Sequence, residues 1–297
     1  MAEDRKNKFH DLLKRGDRFL NFGELEAAKE ALEAAIVIDS GSARAWYLLG
    51  LAHRDKGDTD EARKCLSEAA RLDQNWLEPL EVLGTLEASL NNNREAARHL
   101  KQYIQKGGDK MPSLLTLART AFESKDCKTV LAATSKIIEM DEELAEAWVM
   151  RGVCQAHLDR FNAACTSLNV AISLDPGSIS ALNTVGDLSY ESGNYEAAAE
   201  LYTSSHALKA DQPDVLFRLG VSLWFLEKWS SSIPLFERYV KLVPDDPKGW
   251  NNLGVVLREK GEVKRAVECY NQALQLDGSL EVAKRNLGTA KEKQVLL

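Results

Sequence analysis

The chain has 297 residues, 44% hydrophobic and 28% charged, with a formal net charge of -7. No run of about 18 apolar residues occurs, which argues against a membrane-inserted segment. The acidic balance, with Lys and Arg spread thinly along the chain, argues against nucleic acid as a main partner.

The N-terminal stretch "MAEDRKNKFHDLLKRGDRFL" is polar from its first residues and has no apolar signal-type core, so the expected location is the cytoplasm. Five cysteines (Cys65, Cys127, Cys154, Cys165 and Cys269) form no CxxC pair and read as reduced thiols. The five histidines show no metal-ligand spacing, and no cofactor fingerprint or nucleophile elbow is present. The expectation is a chain without catalytic site, metal or cofactor. The acids Asp141, Glu142 and Glu143 read as complements to a helix N-terminus.

Residues 1–8 read as a polar N-terminal extension. From there the elements follow a fixed beat. Steps of 34 residues through Gly50 meet Gly16, Gly84, Ala118, Gly152, Gly186, Gly220, Gly254 and Gly288. Twelve residues after each small residue come Ala28, Ala62, Ala96, Val130, Ala164, Ala198, Ser232 and Ala266. Sixteen after it come Leu32, Leu66, Leu100, Thr134, Leu168, Tyr202, Phe236 and Tyr270. Eight units result without insertion or deletion: 9–42, 43–76, 77–110, 111–144, 145–178, 179–212, 213–246 and 247–280.

Each unit predicts two helices. In residues 43–76, Trp46, Leu49, Gly50 and His53 share one helical face. "KGDTD" supplies the turn, and Ala62, Leu66 and Ala69 form the stripe of the second helix. Small residues let the helices approach and large ones fill the space beside them. One such hairpin cannot bury both faces, so it stacks on its neighbours.

The pattern W-x2-L-G-x2-Y followed by A-x3-F, at a period of 34, resembles the tetratricopeptide repeat. Residues 250–277, "WNNLGVVLREKGEVKRAVECYNQALQLD", and 148–176 carry the likeness most fully. The resemblance implies an all-α, right-handed superhelical solenoid whose first helices line a concave groove. It also implies a non-catalytic adaptor or scaffold that binds a protein or peptide, with a place in a multi-protein complex. Alternatives within that frame are a chaperone shielding an apolar client segment and a regulatory subunit of an enzyme complex.

Three segments depart from the pattern. Unit four has Ala118, Val130, Thr134 and Ile137 at the signature positions, read either as local repacking or as a hinge between residues 9–110 and 111–280. In unit seven Pro234 is expected in the first turn of a helix capped by a serine among Ser230–Ser232. Residues 281–297 read as a C-terminal capping helix with Lys284 on a solvated face, and "QVLL" as an optional docking tail.

The stretch "DVLFRLGVSLWFLEKW" carries more apolar residues than one buried face needs. Phe217, Val221 and Trp224 form a second stripe at i, i+4, i+7, flanked by Phe225. By the resemblance that stripe faces the groove, joined by Arg218, Tyr190, Val149 and Val153. Asn183, Asn251 and Asn252 are candidates to bond a peptide backbone. Two known groove devices of the family do not fit. No first helix has Lys with Asn at the carboxylate-clamp pair, where Leu13/Asp17 and Asn251/Val255 stand, for example. The asparagine-ladder column holds Lys14, Leu48, Val82, Thr116, Met150, Thr184, Arg218 and Asn252. The expected anchors are therefore apolar or aromatic.

Overall fold

The computed structural model describes residues 2–295, and every regular element among them is an α-helix. Residues 1–142 form one compact unit and residues 143–297 a second. The first holds α1 (Ala2–Asn21), α2 (Leu25–Ile38), α3 (Ala43–Lys56), α4 (Thr59–Leu72), α5 (Glu78–Ser89), α6 (Asn93–Gln105), α7 (Met111–Glu123) and α8 (Cys127–Met140). The second holds α9 (Ala145–His157), α10 (Phe161–Leu174), α11 (Ile179–Glu191), α12 (Tyr195–Leu208), α13 (Pro213–Phe225), α14 (Trp229–Leu242), α15 (Pro247–Glu259), α16 (Val263–Leu276) and α17 (Glu281–Val295). Within each unit, successive helices pair as antiparallel hairpins and each hairpin packs on the next.

The hairpin turn is the same eight times, whatever residue occupies it. Within two residues of the end of each first helix one residue takes the left-handed conformation: Gly23, Gly57, Asn91, Lys125, Asp159, Gly193, Glu227 and Gly261, with φ between 56° and 93°. Two crossed bonds close each turn. In the hairpin of α3 and α4, Gly57 N donates to Arg54 O at 3.0 Å and Asp58 N to His53 O at 2.8 Å. The equivalent pair closes the hairpin of α13 and α14, Glu227 N to Trp224 O and Lys228 N to Leu223 O. This is the Schellman arrangement, which satisfies the last carbonyls of a helix.

Inside the hairpins the columns read from the sequence are buried. Leu32, Leu66, Leu100, Thr134, Leu168, Tyr202 and Tyr270 are fully buried and Phe236 nearly so, each against the small residue of its partner helix. Unit four departs in a compensated way. Ala118 carries a β-carbon where the other seven hairpins have none, and the facing position holds Thr134, shorter than Leu or Tyr. Both are fully buried, and Thr134 Oγ1 donates to Val130 O at 2.7 Å within its own helix. This is local repacking.

Four expectations are corrected. Residues 2–8 continue α1 rather than standing apart. Glu3 and Asp4 favour its first turn, and Arg5 Nη2 donates to Ile38 O at 3.0 Å. The division between compact units falls at Glu142/Glu143, not at residue 110. A bond bridges the earlier position, from Ser113 Oγ to Glu81 Oε1 at 2.8 Å. Pro234 lies in the second turn of α14, which starts at Trp229, so a ladder bond to Ser230 O is forgone. The serines do not cap that helix, whose N-cap is Lys228. Ser232 Oγ instead donates to Gly220 O across the hairpin at 2.7 Å, in full burial. The C-terminal helix α17 has one solvated and one buried face. Lys284 is exposed as expected, paired with Glu281 at 2.7 Å, while Ala283 and Ala290 are fully buried. Leu296 and Leu297 of the proposed docking tail lie outside the described residues.

Candidate functional site

A cavity of about 330 Å³ opens in the second unit between α13, α15 and α17, with Phe236 of α14 at its floor. Its walls differ in chemistry because they come from different columns of the repeat. α13 contributes Val221 and Trp224, and α15 adds Val255 and Val256. Beside the valines, on the same face of α15, stand the amides Asn251 and Asn252, and Asn286 comes from α17. Val282 of α17 closes one side.

The amides form a directional row. Asn286 Nδ2 donates to Asn251 Oδ1 at 3.0 Å, and Asn251 Nδ2 donates to Asn252 Oδ1 at 3.2 Å. Asn251 is therefore spent on both sides and buried, a positioning group for its neighbours. The half-buried Asn252 ends the row, and among the described residues its Nδ2 hydrogens have no acceptor. Arg258 also lines the cavity, with its charge compensated by Glu259 at 2.7 Å. The result is an apolar slot with an amide donor at one edge, suited to an apolar side chain and the adjoining peptide carbonyl.

The other residues singled out in the sequence divide among four environments. Phe217 packs edge-on against Phe236 (5.8 Å between centroids) and tilted against Tyr239 (5.2 Å), so much of its ring belongs to the core below the cavity. Arg218, Tyr190 and Asn183 form a separate group on α11 and α13. Arg218 Nη1 lies 3.1 Å from Asp187 Oδ1, and the guanidinium sits 5.5 Å from the Tyr190 ring centre. Tyr202 Oη donates to the same Asp187 oxygen at 2.6 Å; burial, then this carboxylate, pushes its hydroxyl pKa well above the usual range. Asn183 Nδ2 donates to Gln212 Oε1 at 3.1 Å, tying α11 to the start of α13. Val149 and Val153 pack with Leu168, Ala181 and Val185.

Phe225 is exposed and lies flat on Tyr195, with centroids 4.0 Å apart and planes 4° from parallel. The stripe thus splits: Val221 and Trp224 reach the cavity, Phe217 supports it from beneath, and Phe225 turns away.

Sequence reasoning missed Phe236, Val255, Arg258, Val282 and Asn286. Asn286 had a signal. It stands 34 residues after Asn252, in the same column, on α17.

Eight like hairpins with one buried small–large contact each define a helical-repeat protein whose accessible features lie on repeated helix faces. Tetratricopeptide-repeat models match residues 13–75, 145–178 and 247–280. The chain is a tetratricopeptide-repeat protein. It is similar to the peroxisomal targeting signal receptors of Yarrowia lipolytica (32% identical over 148 residues, 46% of this chain and 24% of that one) and Candida albicans (27% over 205 residues, 66% and 34%). It also resembles superkiller complex protein 3 of Mus musculus, 22% identical over 262 residues, 83% of this chain and 17% of that one. The chain thus spans about a third or less of the length of these relatives. Among solved structures, Naa15/Naa10 bound to HypK-THB shares the fold with a TM-score of 0.62 at 15% identity, over 93% of this chain and 43% of that one. The MamA crystal structure does so with a TM-score of 0.51 at 19% identity, over 58% and 93%. Among the described residues no helix is long and apolar enough to cross a membrane.

Proposed function

We propose that this chain is a non-catalytic protein-interaction adaptor and that the cavity between α13, α15 and α17 takes an apolar or aromatic anchor of a partner's peptide or helix. The observation that carries this reading is the pairing of an apolar wall, Val221 and Trp224, with the amide row ending at Asn252. Desolvated aromatic anchors dominate the energetics of such contacts, and an amide donor fixes the backbone beside them. Relatives named as targeting-signal receptors and as a subunit of the superkiller complex support a partner-binding role. Cys65, Cys127, Cys154, Cys165 and Cys269 form no disulfide among the described residues, which supports a reducing, cytoplasmic setting.

The test is selection of a random-peptide display library on the purified protein, followed by fluorescence anisotropy of the enriched peptide. Enriched peptides should share an apolar or aromatic residue. Trp224→Ala and Asn252→Ala should each weaken binding, the former by roughly tenfold or more, with helical circular dichroism unchanged. No enrichment, or equal affinity for both variants and the parent, overturns the assignment.

A further inference from the structure

A different surface stands out in the first unit. Two cavities of about 460 and 380 Å³ lie side by side between the second helices α4, α6 and α8, and Gln105 lines both. Arg71, Arg98 and Lys106 line the first, and Lys101, Lys128 and Lys136 the second. The one carboxylate lining either is Asp126, which Lys101 Nζ reaches at 2.7 Å. Such a run of cations is out of keeping with a chain of net charge -7.

The repeat itself does not require these charges. Stepped by the 34-residue beat, the positions of Lys128, Arg98 and Lys101 become Asn162, Thr166 and Asn169 on α10, and Glu196, Glu200 and Thr203 on α12. The same helix faces are neutral in one hairpin and acidic in the next, so the fold tolerates any of the three.

Some of the charge is already used. Arg71 pairs with Glu68 at 2.6 Å and Arg98 with Glu95 at 2.7 Å. Among the described residues no carboxylate lies within ion-pair distance of Lys106, Lys128 or Lys136; Lys106 Nζ instead donates to Gln74 O. Burial, then Arg98, holds the His99 imidazole below its usual pKa range and so neutral at pH 7. Its Nε2 accepts from Arg98 Nη2 at 3.2 Å, which leaves the proton on Nδ1, and that shielded N–H has no protein acceptor. The floors are apolar, Leu80 and Leu83 in the first cavity, Leu117 and Ala133 in the second.

We propose that this trough binds an acidic segment of a partner protein, an extended stretch whose carboxylate or phosphoserine side chains meet Lys106 in one cavity and Lys128 and Lys136 in the other. A nucleic-acid backbone fits less well. Half of the lining cations are compensated, and no Phe, Tyr or Trp lines either cavity to stack a base. Spaced acids over an apolar floor match a peptide with alternating acidic and apolar residues.

The experiment uses the full chain and four fluorescein-labelled probes: an alternating Glu-Ala peptide, its Gln-Ala counterpart, its phosphoserine form and a thymidine oligonucleotide. The Glu-Ala or phosphoserine peptide should bind, weakening with salt, and the Gln-Ala peptide should not. The stronger of the two acidic probes tells carboxylate from phosphate recognition. Lys106→Glu with Lys136→Glu should weaken binding by roughly tenfold or more, and Trp224→Ala should leave it unchanged. Failure of both acidic peptides, or equal binding by the double variant, overturns the proposal. So does binding of the oligonucleotide alone. Lys106→Gln with Lys136→Gln serves the same comparison if the charge reversal does not fold.

Discussion

Leu168 occupies the space that a side chain on Gly152 would need. A β-carbon there would lie 2.5 Å from Leu168 Cγ and 3.3 Å from Ala164 O. Gly152→Leu should therefore overpack the hairpin of α9 and α10 and cost about 1–3 kcal/mol or more. Gly288 stands in the same column, yet nothing lies within 4 Å of its β-carbon position, since among the described residues no helix follows α17 to form a hairpin with it. Gly288→Ala should stabilise by about 0.5–1 kcal/mol. Urea midpoints of the two variants should move in opposite directions. An unchanged midpoint for Gly152→Leu would mean that this contact is not close-packed.

Ala118 and Thr134 replace the Gly–Leu pair together. Thr134→Leu alone should destabilise by about 1–3 kcal/mol, since the larger side chain meets the Ala118 β-carbon. Adding Ala118→Gly should recover most of that loss. A double-mutant cycle by thermal denaturation measures the coupling. Additive effects would show that the two substitutions are unrelated.

Glu227 adopts φ of 56° at a turn where Gly23, Gly57, Gly193 and Gly261 serve elsewhere. An L-residue in this region carries a cost of about 1–2 kcal/mol, partly offset by the greater chain entropy of unfolded glycine. Glu227→Gly should raise the thermal midpoint. A midpoint that falls would show that the exposed side chain stabilises the turn by more than the strain it carries.

Glu87 is a buried carboxylate held by Arg63 Nε at 2.5 Å, Arg63 Nη2 at 3.2 Å and Asn92 Nδ2 at 2.8 Å. The hydrogen bond from Arg63 is the largest cause of a pKa below the usual 4.5, outweighing burial, which acts the other way. A depressed folded pKa means stability that is present above the unfolded value and lost as pH falls through the folded one. Glu87→Gln should therefore destabilise at pH 7 by about 1–3 kcal/mol. The gap to the parent should close as pH drops below the usual 4.5. Thermal scans across that range check this, and a gap that widens in acid would refute it.

The 34-residue beat determined the hairpins, their order and the buried Gly–Leu and Gly–Tyr contacts, because close packing of two helices ties each of those positions to a residue size. Gly152 with Leu168 and Gly254 with Tyr270 could be read as pairs before any coordinate was known. The turn was legible only where it held glycine. Lys125 and Glu227 take the same left-handed conformation because the crossed Schellman bonds and packed helices on either side impose it. The candidate site was half legible. Val221, Trp224, Asn251 and Asn252 were visible as a stripe and an amide pair, but Phe217 shares its stripe and sinks into Phe236 and Tyr239. Helical spacing fixes the direction in which a side chain leaves its helix, not how far neighbouring helices rise around it. That depth, and the closing of the cavity by Val282 and Asn286 of a helix read only as a cap with a solvated outer face, was decided only when the hairpins stacked.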